Sequence, residues 1–377
     1  MEAMRVAPLE GSRPFDFEKD VLVRGVRVRL SADEQILLVT SHHIASDLVS
    51  VGIFGTELGR TYQAICTGQP PVQPELKLQY SDFAYWQRQW LTGNTLDYQR
   101  AYWKKQLESA PRTLLLQPDR PRNTKHSLKG KYYPFVLPPE LYSALVKLGG
   151  DESATLYMTV LATFKALLYK LSGQPDLVVG TDVANRTQPN TDQLIGFFVN
   201  LLALRTRITP GMTFRQLLRA VRQTALDGYA HQDLPFEEIL KMTGRDELSN
   251  RLFQVAFIFQ HETGRFASIP NVKLTKLAFD NDVSMRDASL YLWAYNGGLH
   301  LSWNYRTELF ELSTVQRWTK SLLTLIQNVV LNPDIELVKI NLTAESAAPD
   351  RSSAQLTHAK FQAVRPKAVN VTSTGKS

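Results

Sequence analysis

Cysteine is almost missing from this sequence: Cys66 stands alone among 377 residues. A single thiol makes no internal disulfide and no thiolate metal cluster, and such a chain suits a reducing compartment, so a cytoplasmic location is expected. Long apolar runs are missing as well. No stretch approaches the ~20 apolar residues that cross a bilayer, and the opening MEAMRVAPLEGSRPFDF shows no apolar signal-peptide core. No membrane is expected as a partner. Charge of one sign is weak: the formal net charge is +7, and the segment from Thr343 onward holds five Lys/Arg against two Asp/Glu. The basic residues do not cluster with aromatics, so nucleic acid is not an expected partner either. Internal repeats are absent. What is present is 44% hydrophobic and 10% aromatic, an ordinary globular composition with length for roughly two or three core-forming units.

Apolar patterning switches repeatedly between the strand and helix periods. VLVRGVRVRL (Val21–Leu30) alternates and predicts a strand with one wet face, while QILLVTS (Gln35–Ser41) is continuously apolar and predicts a more buried strand. The intervening SADE reads as a turn, so the two form a hairpin. A helical pattern runs from Val49 to about Cys66, and the Pro-rich Gly68–Lys77 reads as a connector. Helices are expected around Ser81–Leu91 and Tyr98–Leu107, and a strand near Tyr132–Leu137. Leu156, Val160, Phe164, Leu167, Leu168 and Leu171 share a helical face that Gly173 terminates. Asp176–Gly180 and FFVNLLALRTRI predict buried strands, Thr213 caps a further helix, strands dominate Leu252–Tyr305, and a last helix starts at Ser313. This intermixing argues for a layered α/β fold.

The candidate chemistry lies at the end of the hairpin, in VTSHHIASDLVS (Val39–Ser50). Neighbouring strand residues point to opposite faces, so His42 and His43 cannot share one task. Asp47 follows His43 by four residues, and a coiled chain would bring its carboxylate to an imidazole or to an inward cation. Three readings stay open on these residues alone. The pair is structural; or His43 and Asp47 are metal ligands at helical spacing, lacking an identifiable third; or one imidazole, titrating near pH ~6.5, serves as a general base or positioning group.

Four blocks occur in order: the HHxxxD stretch; YSDFAYWQRQWL (Tyr80–Leu91); VGTDVANRTQPNTDQLIGFFVN (Val179–Asn200); and HQDLPFEEIL (His231–Leu240). Together they resemble the condensation domains of nonribosomal peptide synthetases, relatives of chloramphenicol acetyltransferase, from about Arg13 to Leu342. The resemblance implies an α/β fold of two chloramphenicol-acetyltransferase-like lobes in a V with the site in a tunnel between them. It implies amide formation between carrier-bound aminoacyl and peptidyl thioesters. The partners are carrier proteins and adjacent adenylation or other synthetase domains. No metal or other cofactor is bound directly; the substrates ride on phosphopantetheine. His43 takes the tunnel-facing position, His42 a mostly structural one, and Asp47 pairs with an arginine, for which Arg186 is the candidate. Tyr80, Asp82, Trp86, Gly196, Asn200, His231 and Asp233 take packing or loop-shaping positions.

The sequence departs from that pattern twice. Leu48 stands where the motif has glycine, which gives up backbone freedom and places a branched side chain near His43. The family pattern also extends upstream of RPFDF, so the first lobe is expected to be incomplete. The expected division is a remnant of the N-terminal lobe at 1–75, a C-terminal lobe at 76–342, and a linker or disordered tail at 343–377. A non-catalytic docking platform and an epimerisation domain remain the alternatives to condensation.

Overall fold

Two stretches with the period of a strand fold back on each other near the N-terminus. In the computed structural model, which describes residues 2–122, 127–246, 251–260, 272–275, 282–295 and 298–342, β1 (Val23–Arg29) pairs antiparallel with β2 (Gln35–Ser41), with Val26 opposite Leu38. A helix, α1 (Glu2–Ser12), precedes them and touches β2. The hairpin forms a sheet of two strands. The continuous apolar run predicts a buried β2, but β2 alternates between half-buried and exposed positions and buries no residue. The reason is tertiary: Val23, Leu37 and Val39 lie on one exposed face, uncovered by any described element. α2 (Leu48–Cys66) follows, and its fully buried positions are small: Ser50, Gly52, Gly55 and Gly59.

The larger body is built on a mixed six-stranded sheet. Its strands are β3 (Gly130–Val136), β4 (Asp176–Val183), β5 (Asn200–Arg207), β6 (Val255–Gln260), β7 (Ala288–Tyr295) and β8 (Gly298–Arg306), ordered β3-β8-β7-β6-β4-β5. β6 runs parallel to both β4 and β7, and the other pairs are antiparallel. The helices α5 (Pro139–Asp151), α6 (Leu156–Ser172), α7 (Phe214–Ala230) and α9 (Leu312–Leu331) pack with one another around α6. α6 is apolar on nearly all sides and is buried without interruption from Met158 to Leu168, as expected of a helix enclosed by neighbours. Gly173 ends it in a left-handed conformation at φ 67°, and Thr213 caps α7 through a reciprocal box with Gln216. Gly180 is required by close approach: a Cβ there would lie 2.0 Å from the Phe253 ring.

Three further helices complete the described chain: α3 (Tyr80–Trp90), α4 (Gly93–Leu107) and α8 (Phe236–Thr243). α4 begins at Gly93, ahead of the Tyr98 start that apolar periodicity predicts, because its first turn is polar. The periodicity reading did not anticipate α1 or α5. The expected tail at 343–377 lies outside the described residues. Among the described residues no helix is long and apolar enough to cross a membrane.

Candidate active site

β2 ends at Ser41, and the chain tightens into one turn of 3₁₀ helix at His43–Ala45 before α2. His42 caps that turn, its Nδ1 accepting the Ile44 N–H at 3.1 Å. Its half-buried ring meets Phe17 edge-on at 4.8 Å. The His43 ring turns elsewhere and meets Phe197 edge-on at 5.1 Å. The two imidazoles therefore diverge, His42 as the extended cap residue and His43 as the first residue of the turn. His43 is exposed, and its Nδ1 lies 2.7 Å from the Ser46 carbonyl oxygen. A carbonyl only accepts, so this bond places the proton on Nδ1 and leaves Nε2 as the lone-pair nitrogen of the neutral ring.

Asp47 is buried to 4% exposure and caps α2. Its Oδ1 accepts the Ser50 N–H at 2.8 Å, and its Oδ2 accepts the Phe198 N–H at 3.2 Å. Arg186 Nη2 donates to both oxygens, at 2.9 and 3.2 Å. Asp47 thus holds the inward cation and not the His43 imidazole. Its oxygens are taken by N–H donors, which argues against the reading of His43 and Asp47 as a metal pair. The Arg186 guanidinium also donates to the Leu194 carbonyl and lies 4.0 Å above the Phe198 ring. Both side chains are almost wholly enclosed, at 3% and 6% exposure. Such a pair holds its geometry firmly because removing either member strands a buried charge.

Ser50 is the hub of this arrangement and has no counterpart in the sequence reading. Its Oγ accepts N–H bonds from Arg186 at 3.0 Å and Gly196 at 3.1 Å. Its hydroxyl hydrogen faces Asp47 Oδ1 at 2.8 Å and the Gly196 carbonyl at 2.9 Å. The available signal was positional: an aspartate cap places the third helical residue within reach of the cap. These bonds tie the hairpin and α2 to the segment Gly196–Phe198 that leads into β5.

The auxiliary blocks support this floor. Tyr80 donates to the Phe197 carbonyl at 2.8 Å, and its ring leaves no room for a Cβ at Gly196, which would fall 2.2 Å from it. Burial, and then the Asp47 charge, raise the Tyr80 hydroxyl above its ordinary range. Asp82 closes the first turn of α3 on the Gln79 N–H, and the half-buried Trp86 packs with Phe83, Leu194 and Phe198. Asn200 donates to the Gln232 and Leu234 carbonyls and accepts the Phe236 N–H, pinning the HQDLPFE loop. His231 stacks on Tyr102 at 3.9 Å, and its Nδ1 bonds the Asp227 carbonyl, both packing contacts. Burial raises the half-buried Asp233 carboxyl.

Leu48 is the first residue of α2 and is 40% exposed. It is helical, so this position does not call on the positive-φ freedom of glycine. A second residue escaped the sequence reading. Asp182 lies at the end of β4, beyond the Gly180 at which the predicted strand stops. Burial pushes its carboxyl up to about 6, while its own backbone N–H and the charge of His43 pull the other way.

The mixed α/β body has the chloramphenicol-acetyltransferase-like fold of solved condensation-domain structures. Within that fold class, the condensation-domain family model matches residues 5–350, and the chain belongs to the condensation-domain family. It is 38% identical to one component of the linear gramicidin synthase of Brevibacillus parabrevis, over 92% of this chain and 7% of that protein. It is 39% identical to the phosphinothricin tripeptide synthetase PhsC of Streptomyces viridochromogenes over 90% of this chain and 31% of that protein. The chain therefore spans a small part of the relatives it matches. Among solved structures, the X-domain from teicoplanin biosynthesis superposes with a TM-score of 0.80 at 23% identity, covering 90% of this chain and 79% of that one. A four-domain nonribosomal peptide synthetase bound to AMP and glycine superposes at 0.78 and 21% identity, over 93% of this chain and 27% of that one. These likenesses establish the fold.

Proposed function

We propose that this domain joins two carrier-bound substrates through an amide bond, with His43 at the reacting centre. The observation that carries the reading is the His43 ring itself: exposed, fixed at Nδ1 by the Ser46 carbonyl, and so presenting Nε2 outward. A carrier protein would bring each substrate on a phosphopantetheine arm, with adjacent adenylation or other synthetase domains loading the carriers. The acceptor's amine lone pair attacks the donor thioester carbon. The C–N bond forms, the C–S bond breaks, and the sulfur leaves as a thiol with one amine proton. Nε2 accepts a hydrogen bond from the amine and orients its lone pair, and positioning of this kind contributes much of a bimolecular rate. The enclosed Asp47–Arg186 pair keeps the His43 turn in place.

The test uses loaded donor and acceptor carriers. His43→Ala should abolish amide formation while the melting temperature stays near that of the parent. His42→Ala should act through stability, because its ring is a cap packed on Phe17. Amide formation by His43→Ala at the parental rate sinks the proposal. Donor epimerisation without any amide product would identify the epimerisation alternative.

One observation favours a docking role as the second reading. Ile44, Leu48 and Val51 are all exposed apolar side chains close to His43 in the chain. Leu48→Gly separates the readings: a faster condensation marks Leu48 as an obstruction on the acceptor's approach. An unchanged rate means that leucine is accommodated there and removes this support for docking.

A further inference from the structure

Most enclosed carboxylates in this protein face an arginine. Asp47 has Arg186, Glu152 has Arg215 and Arg219, and Asp287 has Arg122. Asp182 is different. Among the described residues no lysine or arginine forms an ion pair with it. Its charge acts instead on the hydroxyls of Tyr157 from α6, Tyr229 from α7 and Tyr291 from β7. Those three are neutral at ordinary pH, since burial raises each of them. Among the described residues His43 also acts on this carboxyl and pulls it down.

The position follows from the strand register. Asp182 lies opposite Leu201 and Val183 opposite Asn200 in the β4–β5 ladder. Just past the end of that ladder, Arg186 on one strand and Phe197–Phe198 on the other meet Asp47 and His43. The end of β4 thus lies beside the segment that meets His43, and among the described residues no lysine or arginine pairs with Asp182 there. An acceptor amino acid arrives mostly as an α-ammonium near neutral pH, because such groups titrate near pH ~8. That cation has the charge, the donors and the destination that Asp182 lacks.

We infer that Asp182 anchors the acceptor's α-ammonium group and presents it to Nε2 of His43. This rests on the amide-forming reading above. The ammonium gives one proton to Nε2, the freed amine forms the C–N bond, its second proton leaves on the thiol sulfur, and the imidazolium later returns its proton to water. Asp182 lowers the cost of the imidazolium while it exists. An acceptor whose nitrogen is already acylated carries no such charge and gains nothing from the carboxylate.

The test is a binding measurement that needs no turnover. The probe is a non-reactive amide analogue of glycyl-pantetheine, with either a free or an N-acetylated amine, titrated calorimetrically into the full chain near neutral pH. The parent should favour the free amine by about tenfold or more, the scale of one charge-assisted hydrogen bond. Asp182→Asn should bind both probes alike, and Asp182→Glu should keep part of the preference. In His43→Ala, which removes the imidazole from the site, the preference should still fall below about pH 6. A parent without preference, an Asp182→Asn variant that keeps it, or a His43→Ala variant whose preference is flat with pH each overturns the inference.

Misfolding has its own signature. The folded Asp182 carboxyl binds its proton more tightly than an unfolded one, so ionisation costs stability as pH rises through about 6. Asp182→Asn should therefore hold or raise the melting temperature near neutral pH. The two proposals fail separately. Amide formation that depends on His43, with no Asp182-dependent preference, sinks this inference alone. An Asp182-dependent preference in a chain that makes no amide sinks the condensation reading alone.

Discussion

At the scale of single residues, the buried Asp47–Arg186 contact fixes the His43 turn. Each partner is almost fully enclosed, so neither can be hydrated when the other is removed. Asp47→Ala and Arg186→Ala should each cost about 3–5 kcal/mol of stability. The double substitution should cost much less than the sum, because it strands no charge. Urea denaturation of the four proteins checks this, and additive losses would contradict the contact. Arg186 sits 139 residues from Asp47 in the chain, so spacing could not reveal the pair; the resemblance of the VANR block suggested it. Ser50 and Asp182 were not found that way. A serine three residues after a helix cap and an aspartate ending an apolar strand are both common, and each becomes informative only when the distant partner is in place.

At the scale of elements, α6 shows how burial changes a residue's chemistry. Lys165 lies inside its continuously buried stretch, and its Nζ donates to the Leu204 carbonyl at 2.9 Å and to Thr206 Oγ1 at 2.6 Å. Burial pulls its ammonium down to about 7. An unfolded lysine keeps its proton up to about pH 10.4. Between these limits the unfolded chain holds the extra proton, so the lysine's cost is complete below pH 7 and is relieved as pH rises. The unfolding free energy of the parent, less that of Lys165→Met, should climb by up to about 1.4 kcal/mol per pH unit above pH 7. Denaturation at about pH 7 and about pH 9 measures the slope, and a flat difference would show that Lys165 stays charged when folded. The offset between the two proteins does not decide the matter, since methionine also removes both hydrogen bonds.

At the scale of the whole molecule, two sheets have very different support. β7 and β8 lie inside a six-stranded sheet with helices packed against it, whereas β1 and β2 form a ladder of two. An isolated pair of strands is marginal in water. Hydrogen exchange followed by mass spectrometry should therefore find the amides of Val23–Ser41 exchanging well before those of Ala288–Tyr295. Equal protection would mean that the hairpin has cover beyond the contacts described. The hairpin ends at the His43 turn, so opening it loosens the site from one side while Asp47, Ser50 and Arg186 hold it from the other.

The sequence by itself determined what depends on neighbours along the chain. Period-two and period-3.6 patterning placed most strands and helices, and Gly173 and Thr213 marked helix ends. Ordered blocks pointed to the family. Tertiary structure alone decided what depends on neighbours across the chain. It left β2 half-exposed despite its apolar run, because burial is set by what covers a strand and not by its composition. It made Ser50 a hub that joins Asp47, Arg186 and Gly196. It also brought the end of β4 near enough to His43 for the imidazole to act on Asp182 across 139 residues of sequence. Such contacts arise when the β4–β5 ladder and the hairpin's exit are folded together, and no local signal in the chain specifies them.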